Sequence, residues 1–221
     1  MKDVNYKNDK NLTITSDMEI FDISFNKDKF YFMDNENYVN FIKACEKLIR
    51  KSPDYTQFVD DIREFNMEHC QVLGNISRFD AELQVHHGPM LTLFDYCAIL
   101  INYWLSKEEP INTFRVAEAI VDEHMAGNVQ LVVLCKTVHQ LIDTGEIFIN
   151  LNQGIGNVGE FLKKYREGIT DVMREKINKY IDLSQKFDSH DNNILMLEKS
   201  MVDWSYRKIH NDMAKRANPG K

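Results

Sequence analysis

GNVQLVVLCKTVHQLID, residues 127–143, decides how this chain is read. Its VQLVVL portion, 129–134, is short and rich in Val and Leu, the composition of a buried strand. The period then changes. KTVHQLID has helical spacing and stops at Gly145, a residue suited to ending a helix. Positions i and i+4 share a helix face, so His139 and Asp143 project from one side. An imidazole and a carboxylate placed in this way are both divalent-metal ligands, compatible with Mg, Mn, Ni or Zn.

Upstream lies ELQVHHGP, residues 82–89. Leu83 and Val85 alternate with polar neighbours as in a short strand, which ends in His86 and His87 at a Gly88-Pro89 turn. Adjacent imidazoles fit a pair of partly exposed residues satisfied by water or backbone as readily as they fit a site. The company of His139 and Asp143 changes that balance.

Further outward, MEIFDISF (18–25) and KFYFMD (29–34) read as two strands of a hairpin around Asn26-Lys27-Asp28. From Asn35 the spacing is helical, with Tyr38, Phe41, Ile42, Cys45, Leu48 and Ile49 on one face. Ser52-Pro53 opens a second amphipathic helix carrying Tyr55, Phe58, Val59, Ile62 and Phe65. Helices are expected at roughly 92–106 and 113–126, parted at Pro110, with His124 near the end of the second. EIFINL reads as a final strand. Helices then resume over about 157–186 and 191–216. The last carries Ile194, Leu197, Met201 and Trp204 at 3–4 spacing, which suits intramolecular packing, a homodimer or a partner protein.

With 221 residues, 43% hydrophobic and 28% charged, the chain is of ordinary globular composition and can bury a substantial core. Cys45, Cys70, Cys97 and Cys135 contain no CxxC pair, so neither a zinc ribbon nor a disulfide framework is indicated. The polar start lacks the apolar segment of a signal peptide, and no run approaches a membrane span. The default compartment is therefore reducing and cytoplasm-like. A net charge of −7 argues mildly against nucleic acid, although residues 151–221 carry +3 against −10 for residues 1–150. Lys163, Lys164 and Arg166 form the best basic cluster near the histidines, able either to track a DNA backbone or to sit as solvated helix faces.

A strand ending in His-His, then Asn128 opening a second strand, then a Leu-Cys strand end and a helix bearing His139 resembles the HNH endonucleases, the ββα-metal or His-Me finger class. The continuation GEIFINLNQGIGNVGEFLKKY is similar to the HNH proteins of tailed bacteriophages. The resemblance covers roughly residues 70–167. It implies that His86 and His139 bind one divalent cation, with Asp143 where the family usually has its last histidine. It also implies that His87 is the general base, that Asn128 orients it, and that DNA is the substrate. The sequence departs from the motif in three places: forty residues separate His87 from Asn128, ten separate Asn128 from His139, slightly more than usual, and Asp143 replaces a histidine. Position 138, where a second cysteine would complete a zinc pair, is Val.

The expectation is an α+β, mostly helical protein built around a ββα-metal finger. Residues 1–69 would form an N-terminal hairpin with amphipathic helices. Residues 70–167 would form the finger with a helical insertion at 92–126, and 168–221 a helical tail. The expected activity is metal-dependent cleavage or nicking of DNA in a phage-infected cell. The rival, from a different class, is a binding or virion-associated structural protein that has lost turnover. The acidic charge, the Asp at 143 and the long helical interval favour that rival.

Overall fold

The structure is a computed structural model that describes residues 26–65, 68–186 and 195–196. The expected strand MEIFDISF, and all but two residues of the expected 191–216 helix, lie outside that set.

Helix α1 (Asn35–Lys51) starts where the Asp34 carboxylate accepts a hydrogen bond from the Asn37 amide at 2.8 Å, and it buries Phe41, Ile42, Cys45 and Ile49. Helix α2 (Pro53–Phe65) follows at once, its proline in the first turn where no amide is required. The expected strand at 29–34 is instead a single 3-10 turn, Tyr31–Met33. Asp28 accepts from the Tyr31 amide at 2.9 Å and closes the turn, while Phe32 packs edge-to-face on Tyr31, Tyr38 and Phe41. Those aromatics are used against α1 rather than in a ladder.

The next two helices, expected as an insertion, lie in the core. Helix α3 (Leu93–Ser106) opens with a reciprocal cap between Thr92 and Asp95, and α4 (Thr113–Met125) with an Asn112 cap. In α3, Tyr96, Cys97, Ala98, Ile99, Leu100 and Ile101 are all buried, so contact surrounds the helix. A helix apolar on every side belongs at a centre. Helix α3 packs against α1 and α4, and α4 against α1 and α2. The segment at 92–126 is thus the middle of the protein.

Strand β1 (Leu83–His87) pairs antiparallel with β2 (Leu131–Cys135), placing His86 opposite Val132 and His87 opposite Leu131. All five residues of β2 are buried. Helix α5 (Lys136–Asp143) leaves β2 directly, and Gly145 just beyond it takes φ +75°, the left-handed conformation that glycine tolerates. Strand–strand–helix order is present, but these elements are set into the common core, and no separate ββα-metal finger is shown. The architecture is α+β and mostly helical.

Two short strands flank the last helices. β3 (Ile147–Phe148) pairs antiparallel with β4 (Leu195–Met196), so positions 195 and 196 are extended rather than helical. The single helix expected at 157–186 is broken into α6 (Val158–Lys164), a 3-10 turn at Arg166–Gly168, and α7 (Asp171–Lys186). The break has a steric cause. Gly168 lies so close to α3 that a Cβ there would come within 2.0 Å of the Ile99 carbonyl oxygen.

Helix α7 is pinned to α3 by a buried ion pair, Lys176 Nζ to Asp95 Oδ2 at 2.6 Å. Burial opposes ionisation of Asp95, yet Lys176 and the bonds from Thr92 outweigh it and hold the carboxyl below its ordinary range. One hydrophobic core runs from Phe32 to Leu183 through every helix but α2's exposed face and α6's outer turn. No described helix is long and apolar enough to cross a membrane.

Candidate metal centre

Successive strand residues point to opposite faces. In β1, Gln84 and His86 therefore share one face, while Val85 and His87 share the other. This alternation separates the adjacent histidines.

On the first face His86 meets α5. His86 Nδ1 lies 2.9 Å from His139 Nε2, and Asp143 Oδ2 lies 3.8 Å from the same Nε2. One ligand atom from each of His86, His139 and Asp143 falls within 4.8 Å of the others. The helical i, i+4 spacing delivers His139 and Asp143 together, and the β1–β2 pairing brings up His86.

A residue that the sequence reading passed over orients this group. His139 Nδ1 is 2.6 Å from Gln84 Oε1, and the Gln84 amide nitrogen donates to Glu82 Oε1 at 3.1 Å. Because the amide nitrogen is engaged by a carboxylate, the oxygen faces His139, so Nδ1 carries the proton. Nε2 then presents its lone pair toward His86 and Asp143. The signal was legible: Gln84 precedes His86 by two in a strand, which puts both on one face.

Burial above all, with His139 and Arg50, lowers the pKa of His86 to about 4 against the opposing pull of Asp143. The three side chains line a cleft of about 970 Å³ whose walls also include Phe32, Tyr38, Lys43, Arg50 and Phe94.

On the opposite face His87 is buried, although it also borders the cleft. It is 6% exposed, with Nε2 3.0 Å from Nε2 of His124, itself 1% exposed. His124 Nδ1 lies 2.7 Å from the Ile120 carbonyl and must donate to it, so its Nε2 accepts and His87 Nε2 donates. Tyr55 stacks on His87, and Tyr55 and Phe58 meet His124 edge-on. Burial, and then the neighbouring imidazole, hold His87 well below the usual histidine range; burial lowers His124 to about 4.

Asn128 lies elsewhere. Its side-chain amide donates to Glu123 Oε2 at 2.7 Å, and Glu123 also accepts from Tyr165 Oη at 2.6 Å and from Lys164. This buried carboxylate ties the end of α4 to α6. The basic cluster is likewise engaged: Lys164 by Glu123 and Lys163 by Glu160, while Arg166 stands exposed on its 3-10 turn. Farther along, Arg174 pairs with Asp171, Lys176 with Asp95 and Lys179 with Glu175. These positive charges face carboxylates.

A family model described as "Bacteriophage G278-like virion protein" matches residues 1–212. The chain belongs to that family. This corrects the HNH endonuclease resemblance: the match to a virion-protein family spans nearly the whole chain, and no HNH family matches. The nuclease roles implied for His87 and Asn128 lapse with that resemblance. No curated protein and no solved structure matches the chain. For a G278-like virion protein, the phage setting expected from the sequence holds, and the assembly role weighed there as the rival fits better than hydrolysis.

Proposed function

We propose that this G278-like chain is a structural or binding component of the phage particle, acting through protein contacts and without turnover of a nucleic-acid substrate. The observation that carries this reading is the family match over residues 1–212. Two features of the geometry support it. The side chain nominated as general base, His87, is 6% exposed and packed against His124 and Tyr55, which leaves it little room to meet a phosphodiester and its attacking water. The lysines and the arginine nominated for a nucleic-acid backbone are, Arg166 apart, neutralised by carboxylates.

Quantitative mass spectrometry of gradient-purified virions tests the reading. A defined copy number per particle that survives high-salt washing is expected. A chain found only in the infected-cell lysate overturns it. In parallel, supercoiled plasmid incubated with the wild-type protein and Mg, Mn, Ni or Zn should remain intact.

A further inference from the structure

The His86–His139–Asp143 group remains unexplained by an assembly role, and its details are those of a ligand set. We propose that His86 Nδ1, His139 Nε2 and Asp143 hold one divalent transition cation of the zinc class, with an open coordination position toward the cleft. Three observations bear on this independently of any nuclease.

The first is convergence. Two imidazole nitrogens at 2.9 Å and a carboxylate at 3.8 Å come from two different elements, β1 and α5, and all three face one point. Metal–nitrogen bonds of about 2.0–2.1 Å span such a pair after a small outward rotation of the rings.

The second is the outer shell. The Glu82–Gln84–His139 relay fixes the tautomer that leaves Nε2 free, and metal-ligating histidines are commonly held by an acceptor on the other ring nitrogen. A histidine serving only packing or solubility needs no such relay. Without a cation, His86 Nδ1 must donate to His139 Nε2. On binding, that proton moves to His86 Nε2, and both lone pairs turn to the ion.

The third is access and charge. The His139 and Asp143 side chains are 26% and 64% exposed, and all three residues line the cleft. Three protein ligands leave the fourth tetrahedral position to water or a small anion. Two imidazoles exclude Mg and Ca as preferred occupants, since those ions take oxygen ligands. The bound ion adds positive charge beside Arg50 and Lys43, so the open position favours an anionic oxygen or nitrogen ligand.

The buried pair is the contrasting case. His87 and His124 have no described carboxylate or thiol completing a set of three, and His87, although it borders the same cleft, is only 6% exposed.

The test uses tag-free full-length protein titrated with zinc alone by calorimetry, then with cobalt(II) followed by visible absorption. One equivalent of zinc binding tighter than about 10 µM is expected. His139→Ala and Asp143→Ala should each abolish that equivalent, whereas His69→Ala should not. Gln84→Leu should weaken it by roughly 10–100-fold while leaving stoichiometry at one. The cobalt protein should show intense d–d bands of a four-coordinate site, shifted by added azide at the open position. Near-ultraviolet circular dichroism confirms that each variant is folded; all four changed side chains are exposed or partly exposed, so folding is expected to persist. Zinc binding weaker than about 10 µM, or binding that survives both His139→Ala and Asp143→Ala, overturns the proposal. Cobalt bands indifferent to azide remove the open position.

Discussion

Residues 86 and 87 are the same amino acid, one peptide bond apart, and meet opposite environments. Both border the cleft, but His86 faces His139 and Asp143, while His87 is buried against His124 and Tyr55. Each pair joins two imidazoles at nearly equal separation, 2.9 Å and 3.0 Å. What differs is the third partner. A carboxylate makes one pair a candidate ligand set, whereas aromatic rings make the other a piece of packing. Residue type alone is therefore a poor guide to the role of a histidine; the pleat and the neighbouring elements assign it.

The comparison breaks first on stability. His87→Ala leaves a cavity and strands the buried Nε2 of His124, so a cost of about 4 kcal/mol is expected. His86→Ala in metal-free protein should cost under about 1 kcal/mol. Urea unfolding of the two variants measures both, and equal losses would erase the distinction.

Acid sharpens the comparison next. His124 falls from an ordinary 6.5 to about 4 in the fold, and His87 falls further. The unfolded chain therefore binds protons that the folded chain refuses. This contribution is fully present above pH 6.5 and is lost as pH falls toward 4. For His124 alone the loss reaches roughly 3 kcal/mol. Denaturation midpoints measured between pH 7 and 4.5 should decline, and His124→Gln should flatten part of that decline.

Zinc acts on the other pair. At a hundredfold excess over its Kd it should stabilise the wild-type protein by about 2.7 kcal/mol and leave Asp143→Ala unmoved, as read by thermal unfolding. The smallest effect belongs to Gln84→Leu without metal. It removes one part-buried hydrogen bond and should cost about 1 kcal/mol or less, which the same urea titration resolves.

Much of the fold could be read from periodicity. The stripe Phe41, Ile42, Cys45, Ile49 is the buried face of α1, and the alternation around Leu83 and Val85 is β1. The i, i+4 pair His139 and Asp143 does share a face of α5. The place of α3 was misjudged because a motif interval was given more weight than composition. LFDYCAILINYWL is apolar on all sides, and that pattern belongs to a central helix. The aromatic run at 30–33 went astray for a related reason: β-propensity describes a half-buried pleated surface, but α1 supplied these rings with a helical one. The partner of His87 was beyond local reading, since His124 lies 37 residues away and only tertiary packing joins them.

The two imidazoles of the candidate ligand set are 53 residues apart, and all of α3 and α4 lies between them. Bringing such distant points together costs loop-closure entropy, which here is offset by the core that the intervening helices build. The ligand set therefore exists only once the interior is complete. Occupancy by a cation would then work as a clasp across a 53-residue covalent detour, reporting to the outside that the inside has closed.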